Sequence, residues 1–181
     1  MKIYVPYGSL MKITIHGEIS PGGRVFVILS PGPLKGELVR IASEKLLMPA
    51  ASATLTNSGG KTQDIAMELS AGFPDGTRFY VAGFGSASLL TLELAALALP
   101  KRAFLVNPEF DEKMHKVFPG IEVPVTVLYT GDNAAFRPAA QKIHDLTPMS
   151  DMVRLPCPSP RIADFSCEPF FSAVRVRLDG Y

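Results

Sequence analysis

Arg24 is followed by Val25-Phe26-Val27-Ile28-Leu29, an apolar run without a polar break. A strand with one wet face alternates; a strand apolar at every position has to be covered on both faces. Comparable runs recur at Arg78–Ala82, Ala103–Val106 and Val123–Tyr129, with helix-like stretches between them. A parallel pair cannot be joined by a tight hairpin, so the chain must cross back over the sheet, and a helix is the usual crossover. The pattern therefore predicts an α/β domain with right-handed crossovers and a mainly parallel central sheet between two helical layers.

The rest of the chain fits that plan. Met11–Ile19 alternates well enough for a strand, and Lys2–Tyr7 could pair with it as an antiparallel strand or hairpin. Ser20-Pro21-Gly22-Gly23 breaks the chain. Helices are expected at Glu37–Leu47, Thr62–Ala71, Leu89–Leu99, Pro138–Leu146 and Pro169–Leu178, with a short one at Asp111–Val117. Further strands are expected at Ala51–Thr56 and Met152–Leu155. Leu89–Leu99 is apolar almost all round, which predicts a helix in the middle of the fold. No repeat or linker interrupts residues 1–181, so one domain is expected. A chain of 181 residues can bury about 70% of the surface its unfolded form exposes, enough for an ordinary apolar core.

Charge and cysteine content narrow the classes of partner. Eighteen Lys and Arg nearly balance seventeen Asp and Glu. So little net charge gives no long-range pull toward nucleic acid or an anionic membrane. The two cysteines, Cys157 and Cys167, are not spaced as a C-x-x-C pair and suit free thiols in a reducing compartment. The N-terminus has no sustained apolar run, and the longest apolar stretch, Leu89–Leu99, is too short to span a bilayer. The expectation is a soluble, cytoplasmic protein without cofactor. No Cys/His/carboxylate cluster has metal-ligand spacing, so no metal site is expected.

In open parallel sheets ligands gather at the carboxyl ends of the strands. The turns to inspect are Ser30–Leu34, Gly83–Ser88, Asn107–Asp111, Gly131–Pro138 and Pro156–Asp164. One of them carries a resemblance. Tyr80-Val81-Ala82-Gly83-Phe84-Gly85-Ser86-Ala87-Ser88, followed by an Ala- and Leu-rich stretch, resembles the strand, nucleophile elbow and buried helix of the α/β-hydrolases. Arg102–Pro108, ending in Asn107-Pro108, is similar to that family's next strand. Val123–Tyr129 is similar to the strand before its acid loop, and Pro169–Leu178 to its closing helix. The residues between the Val106 and Val123 strands leave no room for a lid domain.

The same resemblance implies that the catalytic triad is degenerate. Gly85 falls where the nucleophilic serine should stand, and Ala87 on the second glycine of the elbow. Gly131 and Pro138 frame the acid loop and put Ala134 at the acid position, with Asp132 or Asn133 reachable only by a shift of register. The base loop, Pro156-Cys157-Pro158-Ser159-Pro160-Arg161, has no histidine. The histidines are His16, His115 and His144, in an early strand and in helices.

Two other readings carry less weight. Ser86 could act as an atypical nucleophile with Asp132 and a distant histidine, but Phe84 would then crowd the position two before it. Capping of the following helix explains Ser86 more simply. Ser58-Gly59-Gly60-Lys61-Thr62 is similar to the end of a phosphate loop, but Leu55 stands where the first glycine of that motif belongs, and a solvated turn suffices.

Two functions remain in view. The first is a hydrolase-like pseudoenzyme that binds a protein partner or a small apolar or anionic ligand through Gly83, Phe84, Gly85, Ser86, Pro31 and Gly32, on a rim that would also suit a homodimer. The second is an esterase or thioesterase built on Ser86.

Overall fold

The computed structural model describes residues 2–4, 11–30, 36–55, 61–131, 136–156 and 168–178. In chain order its elements are β1 (Lys2–Tyr4), β2 (Met11–His16), β3 (Arg24–Ser30), α1 (Gly36–Leu46), β4 (Ala50–Leu55), α2 (Thr62–Ala71), β5 (Arg78–Phe84), α3 (Ser88–Leu97), β6 (Arg102–Val106), β7 (Val125–Thr130), α4 (Phe136–Leu146), β8 (Ser150–Leu155) and α5 (Glu168–Leu178). Short 3-10 turns occupy Gly85–Ala87, Glu112–Lys116 and Phe118–Gly120. The chain between β6 and β7 holds only the last two of these, so no lid domain is inserted there.

The strands form one mixed sheet in the order β1-β2-β4-β3-β5-β6-β7-β8. β2 pairs antiparallel with both β1 and β4, and every pairing from β4 through β8 is parallel. The antiparallel start and parallel remainder are what the hydrophobic patterns predict. β2 alternates in burial only at its first residues, as suits a strand near the edge of a sheet. β3, β5, β6 and β7 are buried at nearly every position, as suits strands covered on both faces.

Each face of the sheet has its own core. On one side α1 and α5 cover Phe26, Tyr80, Phe104 and Leu128. Phe26 and Phe104 stand 5.8 Å apart by ring centroid, and Phe170 meets Phe171 at 5.0 Å. Each fully buried ring of this kind contributes about 2–3 kcal/mol by area burial. On the other side α2, α3 and α4 cover Val25, Val27, Val81, Leu105 and Val127.

α3 departs from the expectation that it lies wholly inside. Thr91, Leu92, Leu94 and Ala95 are fully buried, but Leu97 is 52% exposed. The helix lies on one face of the sheet, so its far side meets α2 and then solvent. Glu93 settles there by accepting a hydrogen bond from the Thr62 hydroxyl at 2.7 Å.

Candidate functional site

β5 runs into α3 through the turn expected from sequence. The strand continues to Phe84, the chain then turns through Gly85–Ala87, and α3 begins at Ser88. Gly85 has φ +53°, in the left-handed region where a side chain is costly. Gly83 meets the other demand of a tight elbow. A Cβ there would stand 1.8 Å from Thr91 Oγ1 and 2.9 Å from the Ala87 carbonyl oxygen, so only a bare α-carbon lets α3 approach β5. Thr91 uses its hydroxyl to donate to that same carbonyl at 2.8 Å.

At Gly85, by contrast, there is room. The nearest heavy atom to a Cβ would be Glu109 Oε1, at 3.6 Å. Glu109 arrives there because Asn107, at the end of β6, also takes a positive φ of +45°. Asn107 is buried and tied down: its Oδ1 accepts from Thr130 N at 2.8 Å and from the Thr130 hydroxyl at 3.2 Å. The turned chain carries Pro108 and Glu109 beside the elbow, where Glu109 N donates to the Gly85 carbonyl at 3.4 Å. The sequence marked the turn Asn107–Asp111 but did not single out Glu109 within it. The one available signal was Asn107-Pro108, since asparagine tolerates the left-handed conformation better than most residues.

The solved structures with this architecture are distant in sequence. A serine-hydrolase homologue from Coxiella burnetii superimposes with a TM-score of 0.71 at 13% identity, covering 98% of this chain and 96% of that one. An α/β-hydrolase from Sphaerobacter thermophilus covers 98% of both chains at 15% identity and a TM-score of 0.63. A lidless α/β serine hydrolase from Xanthomonas campestris gives 0.57 at 16% identity, over 93% of this chain and 86% of its own. No family model matches the sequence, and no curated protein matches it. The chain has the α/β-hydrolase fold. Within that fold β5, the turn at Gly85–Ala87 and α3 form a tight strand–turn–helix unit.

The other positions expected for an α/β-hydrolase site are placed as follows. Of the turn residues only Gly85 and Ser86 reach solvent; Gly83 and Phe84 lie in the core, Phe84 against Phe170 at 6.1 Å. They support the turn from within the core. Ser86 is exposed and makes no hydrogen bond among the described residues. The expectation that it caps α3 is corrected: the residue that bonds back is Ser88, whose hydroxyl donates to the Gly85 carbonyl at 2.7 Å. Pro31 and Gly32, the loop residues Asp132, Asn133 and Ala134, and the base-loop residues from Cys157 to Arg161 lie outside the described residues, as does Cys167.

The histidines are engaged elsewhere. His16 pairs in register with Ala50, the first residue of β4, at the amino end of the parallel strands. His144 Nδ1 lies 2.8 Å from the hydroxyl of Ser150, the first residue of β8, at that same end. His115 Nε2 lies 3.3 Å from Glu112, with its ring edge-on to Phe110 and Phe118. Among the described residues no three His, Cys, Asp or Glu side chains cluster as metal ligands, and no helix is long and apolar enough to cross a membrane.

Proposed function

We propose that this chain is a non-catalytic protein of the α/β-hydrolase fold, a pseudoenzyme that works by binding at the carboxyl ends of the strands. The observation that carries the reading is Gly85. It holds the strained centre of the elbow with φ +53°, and it has no side chain with which to attack a carbonyl. Acyl transfer through an enzyme nucleophile needs such a group and a base within hydrogen-bond reach. Ser86, the alternative nucleophile, has no hydrogen-bonded partner among the described residues to take its proton.

The geometry also bears on what binds. A helix N-terminus favours an anion, but the Glu109 carboxylate already stands beside Gly85 and repels one. A protein partner, or a small ligand presenting uncharged groups to Gly85 and Ser86, fits better than a free carboxylate or phosphate. The short crossing between β6 and β7 inserts no lid domain over this end, which favours a protein partner.

Hydrogen exchange across residues 83–88, with and without cell lysate, tests the reading alongside light scattering of the free protein. Protection of the Gly85–Ala87 amides by a partner, or by self-association, is the expected result. A strict monomer with unchanged exchange in that turn contradicts it.

A further inference from the structure

At the opposite end of the sheet, where β6, β7 and β8 begin, two arginines converge on one aspartate. The Arg102 side chain is only 8% exposed. Its Nη1 donates to Thr126 Oγ1 at 2.9 Å and to Asp151 Oδ1 at 3.3 Å, and the Thr126 hydroxyl donates to the same oxygen at 2.6 Å. Arg177, on the last turn of α5, donates from Nε to Asp151 Oδ2 at 2.5 Å and from Nη1 to the Ala173 carbonyl at 3.0 Å. Asp151 thus has both oxygens committed, while the pair of N–H groups on Arg177 Nη2 has no partner among the described residues.

The cluster forms one wall of an open pocket of about 620 Å³. The other walls are Pro124, Pro148, Met149, Ser150 and Val176. Val176 is 71% exposed and Met149 47% exposed, so apolar surface lies open beside the charged cluster. The volume falls within the range of small-molecule sites, roughly 300–1,000 Å³.

We propose that this pocket binds a small organic monocarboxylate. The ligand carboxylate pairs with the Arg177 guanidinium, and its apolar body lies on Met149, Val176 and the two prolines. An inorganic dianion would leave the apolar walls uncovered. The Asp151 bridge holds both guanidinium groups in place before the ligand arrives, so little side-chain entropy is lost on binding. The site is independent of the elbow at the other end of the strands.

The test is an NMR titration of the full chain, reading the Arg177 Nε–Hε resonance and the Met149 methyl. The probes are hexanoate, 1-hexanol, acetate and inorganic phosphate. Hexanoate is expected to shift both signals saturably. Hexanol and acetate are expected to bind at least about tenfold more weakly, each lacking one half of the recognition. Val176→Asp, at an exposed position that leaves the fold intact, should weaken hexanoate by about tenfold or more. Arg177→Met should weaken hexanoate while leaving hexanol unchanged. Equal binding of hexanoate and hexanol would overturn the proposal. So would phosphate competing on equal terms, or the absence of any shift at Arg177 and Met149; the last would mean that the cluster only clamps β6, β7, β8 and α5 together.

Discussion

The two ends of the same sheet are built from opposite materials. At the carboxyl end β5 gives way to glycine, serine and alanine, and the turn is shaped by what its residues lack: Gly83 has no Cβ to strike Thr91, and Gly85 none to resist φ +53°. At the amino end Arg102, Thr126, Asp151 and Arg177 interlock by hydrogen bonds. The first end keeps a backbone geometry and carries no side chain at its centre. The second holds charged side chains in fixed positions. A fold can keep such a turn whatever chemistry is performed there, because fold does not dictate function.

That contrast can be broken at either end. The largest effect should come from Gly83→Val, because the new side chain must displace Thr91 and the start of α3. A loss of about 3 kcal/mol, the upper part of the overpacking range, is expected as a lowered urea midpoint. Ala87→Leu, at a buried position in the same turn, should act in the same direction with a smaller loss. Wild-type midpoints in both variants would mean that the elbow is open.

Next comes Asp151→Ala, which removes the carboxylate that the buried Arg102 guanidinium bonds. Breaking a fully buried pair costs about 3–5 kcal/mol. Asp151 is 39% exposed, so water screens part of that and about 2 kcal/mol is expected. A stability change near zero in thermal or urea unfolding would show that solvent already satisfies Arg102.

Gly85→Ser should cost less, about 1–2 kcal/mol for a side chain in the left-handed region, because the space around the site is free. It should also fail to create an efficient hydrolase, since restoring the nucleophile does not supply a base. Ester turnover well above the roughly 10³–10⁴-fold residual seen in triad knockouts would mean that a base has been overlooked.

The smallest effect concerns Glu168 at the start of α5. Its hydrogen bond from Lys45 and the positive charges of Lys45 and Arg175 hold its carboxyl below the usual range, against a weaker opposing effect of desolvation. A carboxyl depressed in the folded state stabilises above its unfolded pKa and loses that contribution as pH falls through the folded value. Glu168→Gln should therefore differ from wild type slightly at neutral pH and converge with it in acid. Because the group is exposed to solvent, added salt should reduce the difference. A difference that persists in acid, or that salt leaves unchanged, would place its cause elsewhere.

Much of the fold was legible because its strands are extreme cases. The unbroken apolar runs at Val25–Leu29 and Ala103–Val106 admit little except a doubly covered strand, and Thr62–Ala71 forms the helix its pattern predicts. The elbow was legible from Gly83 and Gly85, because glycine is the residue such a turn demands. Glu109 and the Arg102–Asp151–Arg177 cluster were not. Their members lie far apart in the chain and meet only through strand register and a left-handed turn at Asn107, neither of which leaves a local pattern. Ser86 and Ser88 could not be told apart as hydrogen-bonding partners, since either spacing suits a helix start.

The central claim is that the elbow is retained without a working nucleophile. Its most direct test is exposure of the wild-type chain to a fluorophosphonate probe, followed by intact-mass and peptide mass spectrometry, with p-nitrophenyl ester hydrolysis measured on the same sample. The account predicts an unmodified mass and no hydrolysis above background. Stoichiometric labelling of Ser86 accompanied by ester turnover would contradict it.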